Sequence, residues 1–221
     1  MSGFPTARQK MVDGQVRPSD VTDNRIIDAM LVVPRELFVP PSQRPLAYLD
    51  LDLDVSEGGP VKRFQIKPAV TAKMIQAAEV KDTDQVLVVG CASGYMAALV
   101  AKLARHVTAT EPDASLAATA KTICAEIGLG NVTVRAAAAA DGDSANAPFD
   151  AIILNGGTEI VPEGLYHQLK EGGRLVGAFG MTRPQRVTVV TRSHDDFGNR
   201  PLFDTALPLL PGLERPPAFV F

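Results

Sequence analysis

The stretch VLVVGCASGY, residues 86–95, decides the fold. Four apolar residues run directly into a turn that contains two glycines, and a short, fully apolar run of this kind is typical of a strand covered on both faces. A glycine turn after such a strand lets a ligand approach the backbone closely. Ala92 stands where these turns usually carry another glycine, so the stretch predicts either a cofactor loop or a tight turn without a ligand.

Alternating strand and helix patterns surround this stretch. Strands are predicted at residues 85–89, 107–110, 132–134, 151–154, 174–179 and 186–191. Helices are predicted at residues 24–30 after a Thr22 cap, from Pro68, at 96–104, from an Asp113 cap to Ile127, and at 161–169. The alanine run 136–140 fits either the start of a helix or a loop. Repeated strand–helix units predict a doubly wound α/β sheet.

The composition excludes several classes of function. The chain has 221 residues, a net charge of −3 and no cluster of Lys and Arg, so we expect no nucleic-acid binding. No run approaches the roughly 18 apolar residues of a membrane span, and the first residues lack the apolar core of a signal peptide. We therefore expect a cytoplasmic protein that is not inserted in a membrane. The two cysteines and three histidines are too scattered to predict a disulfide framework or a metal site.

Glu111 follows the second strand at the spacing of a nucleoside-binding acid. A carboxylate about 20 residues after the glycine turn accepts hydrogen bonds from ribose hydroxyls, although a solvated loop carboxylate would fit the same pattern. Together with Gly90 and Gly94, it favours an adenosine-containing ligand. The full G-x-G-x-x-G fingerprint of NAD sites is absent, whereas S-adenosylmethionine needs no phosphate cradle.

Several longer motifs carry a resemblance to a known family. DNRIIDAMLVVPRELFVP (residues 23–40), VLVVGCASGY, APFDAIILNGG (147–157) and LKEGGRLVGAFG (169–180) are the matching segments. They resemble segments of the protein-L-isoaspartate (D-aspartate) O-methyltransferase family over residues 21–179. The chain is similar to a divergent member of that family. The resemblance implies a Rossmann-like methyltransferase fold of about seven strands with an N-terminal helical extension. It also implies S-adenosylmethionine as methyl donor and isoaspartyl carboxylates of damaged proteins as acceptors.

The resemblance further implies which parts of the chain form the site. We expect one domain over residues 1–221, in which 1–66 is the N-terminal extension and substrate-side segment and 67–221 is the core with the C-terminal strands. The expected cofactor-binding residues are Gly90, Cys91, Ala92, Ser93, Gly94, Tyr95, Glu111 and Ala138.

Three departures from the family pattern fall on positions with implied functions. Ile66 replaces a serine held near the acceptor carboxylate, Ala92 replaces a loop glycine, and Ala138 replaces an aspartate that would bind the adenine amino group. A lost hydrogen bond to a charged group costs roughly 1.5–3 kcal/mol, so we expect weakened activity or cofactor affinity.

Compensating residues are available, but each also has a structural explanation. Lys67 could attract an acceptor carboxylate or be a solvated residue before a helix, and Asn155 could contact substrate or cap a helix. Asp141 and Asp143 could reach adenine or decorate an exposed turn. No catalytic residue is assigned.

Two functions remain open. One is a carboxyl methyltransferase with weakened or altered activity, and the other is a non-catalytic homologue that acts as a binding or regulatory module. Methylation of nucleic acids or small molecules is disfavoured, because no [DNS]-P-P-[YF] motif follows the fourth strand. The apolar tail, residues 207–221, is expected to cover the core or to pair with another subunit, and the oligomeric state is not predicted.

Overall fold

The computed structural model describes residues 3–59, 61–181, 184–194 and 196–216. The α-helices are α1 Phe4–Met11, α2 Asn24–Val32, α3 Pro68–Ala77, α4 Tyr95–Ala101, α5 Ala114–Glu126 and α6 Glu163–Tyr166. The strands are β1 Leu53–Asp54, β2 Phe64–Gln65, β3 Gln85–Val89, β4 His106–Glu111, β5 Val132–Ala136, β6 Phe149–Thr158, β7 Leu169–Phe179, β8 Gln185–Ser193 and β9 Asp196–Thr205.

Seven strands form one mixed sheet in the order β5-β4-β3-β6-β7-β8-β9, while β1 and β2 form a separate antiparallel hairpin. The five strands from β5 to β7 are parallel, and β8 and β9 are antiparallel additions. The chain runs outward from β3 to β5 and then returns to the other side of β3 with β6. The strand order therefore reverses between β3 and β6, and the carboxyl ends of those strands are where such sheets bind ligands. This is the Rossmann-like architecture that the sequence predicts.

Strand β3 is buried on both faces of the sheet. Val86 and Val88 belong to a core that also contains the N-terminal helices α1 and α2, whereas Leu87 and Val89 face the second core. The second core includes Leu210 from the C-terminal segment. The N-terminal helices therefore cover one face of β3, and the C-terminal segment covers the other face.

Two predicted helix starts are confirmed, and one predicted cap is wrong. Helix α3 begins at Pro68, and the Asp113 side chain caps α5 by accepting from the backbone nitrogens of Ser115 and Leu116. Helix α2 is capped by Asp23 rather than Thr22, because the Asp23 carboxylate accepts from the nitrogen of Arg25 at 2.9 Å.

The predicted helix at residues 161–169 is largely wrong. Only Glu163–Tyr166 is helical, and Leu169 already begins β7, where it pairs with Phe149. The buried positions Leu165, Tyr166 and Leu169 resemble a helical stripe because a short helix and a strand pack on the same core.

Further features differ from the predictions at the chain's ends. Helix α1 and strand β9 are not among the elements that the sequence predicts. The alanine run leaves β5 at Ala136 and continues as a loop. Leu207, Leu210 and Leu213 are buried in the core, and residues 217–221 of the predicted tail lie outside the described residues. No helix in the described part of the chain is both long and apolar enough to span a membrane.

Candidate functional site

The turn between β3 and α4 has positive φ angles at three of its residues, Gly90, Ala92 and Gly94. Gly90 and Gly94 have φ angles of 67° and 101°, a region that side chains disfavour. A Cβ atom on Gly94 would lie only 3.0 Å from the Cβ of Ala120, so glycine there lets the loop approach α5. Ala92 also has a positive φ of 51°, which costs about 1–2 kcal/mol in a residue with a side chain.

The Glu111 carboxylate lies against this turn. Glu111 ends β4, is 0% exposed, and accepts a hydrogen bond from the Ala92 nitrogen at 2.7 Å. It also accepts from the nitrogen of Asp113 at 3.2 Å. The structure thus brings the glycine turn and the acidic residue together.

Both oxygens of the Glu111 carboxylate also accept hydrogen bonds from Arg63. The guanidinium Nε donates to Oε1 at 2.9 Å and Nη2 donates to Oε2 at 3.0 Å, a bidentate pair in which Arg63 is only 2% exposed. With the two backbone donors, Glu111 accepts four hydrogen bonds from within the chain. A carboxylate offers about four acceptor positions, so its oxygens have no capacity left for a ribose.

The Gly90 carbonyl is saturated in the same way. Its oxygen accepts from Arg63 Nη2 at 2.8 Å and from Asn155 Nδ2 at 2.9 Å, and a carbonyl has two lone pairs. Asn155 is 5% exposed and lies within β6, directly after the part of that strand that pairs with β3. Its bond to Gly90 therefore links β6 to the turn after β3. Its amide nitrogen is committed to the protein.

Leu210, which belongs to the second core, covers Gly90. A Cβ atom on Gly90 would overlap the Leu210 side chain and would lie 2.8 Å from Arg63 Nη2. The C-terminal segment is held there by backbone bonds from Gly157 to the Pro208 carbonyl at 2.8 Å and from Leu210 to the Gly157 carbonyl at 2.9 Å.

The other predicted loop residues are buried among protein groups. The Arg35 guanidinium lies 4.8 Å from the Tyr95 ring centroid, the Phe38 ring meets Tyr95 edge-on at 5.5 Å, and the Ser93 hydroxyl donates to the Phe38 carbonyl. Burial, and then the Glu111 charge, raise the pKa of the Cys91 thiol above its ordinary value. Cys91 is therefore a protonated, apolar residue at neutral pH.

Ile66 and Lys67 lie beside the loop. Ile66 is 2% exposed, and its carbonyl accepts from Arg35 at 2.8 Å. It lines a cavity of about 10 Å³ together with Ala92, Asn155 and other loop residues. Lys67 precedes α3 and is partly exposed, while its backbone nitrogen donates to Asp52 at 2.8 Å.

Ala138 lies in the exposed loop after β5, and the nitrogen of the neighbouring Ala137 donates to the Glu111 carbonyl at 3.1 Å. Asp141 is exposed as expected. The interpretation of Asp143 as an exposed turn residue is wrong, because its buried carboxylate binds Arg135 at 3.3 Å and Asn146 at 2.7 Å. Asp143 is therefore no free substitute for an adenine-binding acid.

The residues do not leave room for a nucleoside cofactor in this conformation. Besides the 10 Å³ cavity at the loop, a cavity of about 130 Å³ lies on the other side, lined by Val61, Arg63, Pro112, Asp113 and Pro211. Small-molecule sites usually enclose about 300 Å³ or more. The atoms that the resemblance assigns to S-adenosylmethionine are present, but Arg63 and Leu210 fill the space around them.

A larger cavity of about 470 Å³ lies behind the loop, between residues 37–44 and α5. Its lining includes Phe38, Ser93 and Ile123 but neither Gly90 nor Glu111. It therefore adjoins the turn at Ser93 but does not reach Gly90 or Glu111.

Sequence reasoning missed Arg63, Arg35 and Leu210. Isolated basic residues are usually solvated, and nothing in VKRFQIKP indicates that Arg63 is buried with a distant carboxylate. Leu210 lies in an apolar, proline-rich segment whose contacts depend on the path of the chain after β9. Only the requirement that the buried Glu111 have a partner could have pointed to a cation.

Comparisons with known proteins match both the sequence and the fold. A protein-L-isoaspartate O-methyltransferase from Koribacter versatilis is 36% identical over 87% of this chain and 85% of its own. One from Rhodopseudomonas palustris is 38% identical over 92% of this chain and 93% of its own.

Two solved structures are similar in fold. A structure described as a protein-L-isoaspartate O-methyltransferase has a TM-score of 0.83, with 24% identity over 94% of this chain and 67% of that chain. A Plasmodium falciparum structure of the same description, solved with S-adenosyl-L-homocysteine, has a TM-score of 0.78, with 18% identity over 95% of this chain and 99% of that chain. The family profile described as Protein-L-isoaspartate(D-aspartate) O-methyltransferase matches residues 6–202, and the chain therefore belongs to this family.

Proposed function

We propose that this chain is an S-adenosylmethionine-dependent carboxyl O-methyltransferase that methylates isoaspartyl carboxylates in damaged proteins. The observation that carries the proposal is the Glu111 carboxylate, held 2.7 Å from the Ala92 nitrogen at the ends of β3 and β4 in a chain of this family. The proposed cofactor-binding residues are those of the turn, Gly90–Tyr95, together with Glu111 and Ala138. Residues 1–66 form the proposed substrate-side segment of a single domain.

The acceptor side of this reaction needs no general base. A side-chain carboxylate has an ordinary pKa of about 4 and is already ionised at neutral pH. The chain therefore has to bind and orient the acceptor, and alignment alone can lower a barrier by several kcal/mol. Lys67, partly exposed beside Ile66, supplies a cation in the proposed acceptor region. Asn155 orients the Gly90 carbonyl rather than the acceptor.

A methylation assay with an isoaspartyl peptide tests the function, with the matched aspartyl peptide as control. Ile66→Ser restores the hydroxyl that the family pattern carries, and we expect the rate to rise by about tenfold or more, because a hydrogen bond to a charged group contributes roughly 1.5–3 kcal/mol. Ile66→Ala shortens the same side chain without adding a donor and should give no gain. Arg63→Ala is assayed as well, because it removes the guanidinium that occupies the Glu111 carboxylate. Absence of isoaspartyl-dependent methylation in the wild type, in Ile66→Ser and in Arg63→Ala would refute the proposal.

The comparisons do not favour the second function left open by the sequence, a non-catalytic homologue that acts as a binding or regulatory module. The matched relatives are named as methyltransferases, which supports the enzyme instead. Failure of every variant in the assay, with the fold intact, would make the second candidate the better description.

The cellular setting is part of the proposal. Cys91 and Cys124 are both free and buried in the structure, which fits the reducing conditions of the cytoplasm. The proposed partner is an isoaspartyl-containing protein, and the expectation that nucleic acid is not a substrate stays a prediction from the net charge of −3.

A further inference from the structure

We propose that Arg63 is an internal latch on the cofactor site, so that a nucleoside can bind Glu111 only after the Arg63 guanidinium has left it. The inference rests on the proposed function, because it concerns the same site. It adds a residue of this chain that competes directly with the cofactor for its carboxylate.

Arg63 binds the same atoms of Glu111 that a nucleoside would use, so the two would compete for the carboxylate. Its Nε and Nη2 take both oxygens of Glu111 in the planar, bidentate geometry that guanidinium groups form with carboxylates. Nη2 also takes the carbonyl of Gly90, the residue at which the backbone must be open to a ligand. One guanidinium therefore blocks both predicted anchor points of the nucleoside.

The location argues against a pair that merely stabilises the fold. The Arg63–Glu111 pair lies at the carboxyl ends of β3 and β4, next to the point between β3 and β6 where the strand order reverses. A second ion pair, Arg174 with Asp84 at 2.7 Å, is held elsewhere: Asp84 directly precedes β3, at the opposite end of the sheet. The two pairs have similar chemistry, but only the first uses the residue that the family assigns to ribose.

Arg63 is carried by a short hairpin whose strands are anchored in the core and whose connecting loop is exposed. It precedes β2, in a hairpin of two-residue strands that is separate from the main sheet. Its backbone carbonyl accepts from the nitrogen of Val55 at 2.8 Å, and Glu57, Val61 and Lys62 in the connecting loop are exposed. Leu53 and Val55 are buried in the core, so the hairpin itself stays in place. The opening that the latch requires is therefore a movement of the Arg63 side chain away from Glu111.

The space next to Arg63 is consistent with a site that has closed. The 130 Å³ cavity is bounded by Arg63 and by Pro112 and Asp113, which directly follow Glu111. We expect removal of the guanidinium to extend this cavity toward the Glu111 carboxylate. A latch of this kind lowers the apparent affinity by the fraction of molecules that are open, so that about 1% open molecules would mean about 100-fold weaker binding.

Titration calorimetry with S-adenosylhomocysteine on the full chain tests the latch. We expect Arg63→Ala to bind at least about tenfold more tightly than the wild type, since the competing group is gone. Arg174→Ala is the matched control, because it removes an arginine from the other ion pair and should leave the wild-type affinity unchanged. If Arg63→Ala fails to fold, Arg63→Gln keeps a weaker neutral donor and should still bind more tightly than the wild type.

The outcomes separate the latch from the proposed function. Equal affinities of the wild type and the Arg63 variants, or weaker binding by the variants, overturn the latch. Micromolar binding and isoaspartyl methylation by the wild type, with no gain in Arg63→Ala, leave the function standing without the latch. No binding by any folded variant at millimolar ligand overturns both.

Discussion

At the residue scale, Glu111 and Arg63 are both buried, and each supplies the opposite charge that the other needs away from water. Taking a charge out of water costs several kcal/mol, and a buried pair regains this only when its hydrogen bonds are complete. Here Glu111 accepts from Arg63, Ala92 and Asp113, so the pair is complete without a ligand. A cofactor that replaced Arg63 would have to supply equivalent donors.

Ala92 provides a stability prediction that is independent of function. Its φ of 51° disfavours a side chain, so we expect Ala92→Gly to stabilise the protein by up to about 1 kcal/mol, less the entropy that glycine gains in the unfolded chain. Ala118→Gly is the control, because exposed Ala118 lies in helix α5 and the change should cost about 1 kcal/mol. Urea unfolding measures both, and an Ala92→Gly variant destabilised as much as the control would contradict the loop conformation.

Cys91 predicts a loss of stability at alkaline pH. Burial, and then Glu111, raise the pKa of its thiol in the folded protein above the ordinary value of 9.0. The folded state therefore keeps a proton that the unfolded chain loses, so the stabilisation is complete below about pH 9 and declines as the pH rises above it. We expect Cys91→Ala to show a shallower decline between pH 9 and 10.5 in urea unfolding, whereas parallel curves would show that the thiol titrates normally.

At the scale of single elements, the cap of α5 links the helix to the site. Asp113 accepts from Ser115 at 2.8 Å and from Leu116 at 3.1 Å, and its own nitrogen donates to Glu111. We expect Asp113→Ala to lower the free energy of unfolding by about 1 kcal/mol, and Asp113→Asn to retain most of it. Chemical denaturation measures the difference, and equal losses in the two variants would mean that the cap's hydrogen bonds do not matter.

The elements around β3 could be predicted from sequence because their signals are local. A fully apolar run followed by glycines specifies β3 and its turn, and Asp113 before a helical pattern specifies the start of α5. The helix predicted at 161–169 was wrong because apolar spacing does not distinguish a short helix followed by a strand from one helix. Arg63 could not be predicted, since its burial depends on a partner 48 residues away.

At the scale of the whole molecule, segments before and after the sheet both cover the carboxyl ends of its inner strands. The hairpin before α3 contributes Arg63, and the segment after β9 contributes Leu210, which is 0% exposed over Gly90. The proposed cofactor site is thus covered from two sides. The glycine turn alone predicts a loop that a ligand can approach, whereas here Arg63 and Leu210 occupy that space.

Leu210 tests this closure through stability. We expect Leu210→Ala to cost about 2–5 kcal/mol, because it removes a fully buried side chain and leaves a cavity beside Gly90. Leu202→Ala is the control, since Leu202 is 36% exposed in β9 and the change should cost less than about 1 kcal/mol. Equal, small losses in guanidinium unfolding would show that the C-terminal segment does not pack on the site.

A crystal structure of the protein as purified, without added ligand, is the most direct test of the closed site. We predict that the Arg63 guanidinium is found between the Gly90 carbonyl and Glu111, with Nε about 2.9 Å from Oε1 and no density for a nucleoside. An Arg63 side chain turned away from Glu111, with the carboxylate open to solvent or bound to a co-purified nucleoside, would contradict the latch.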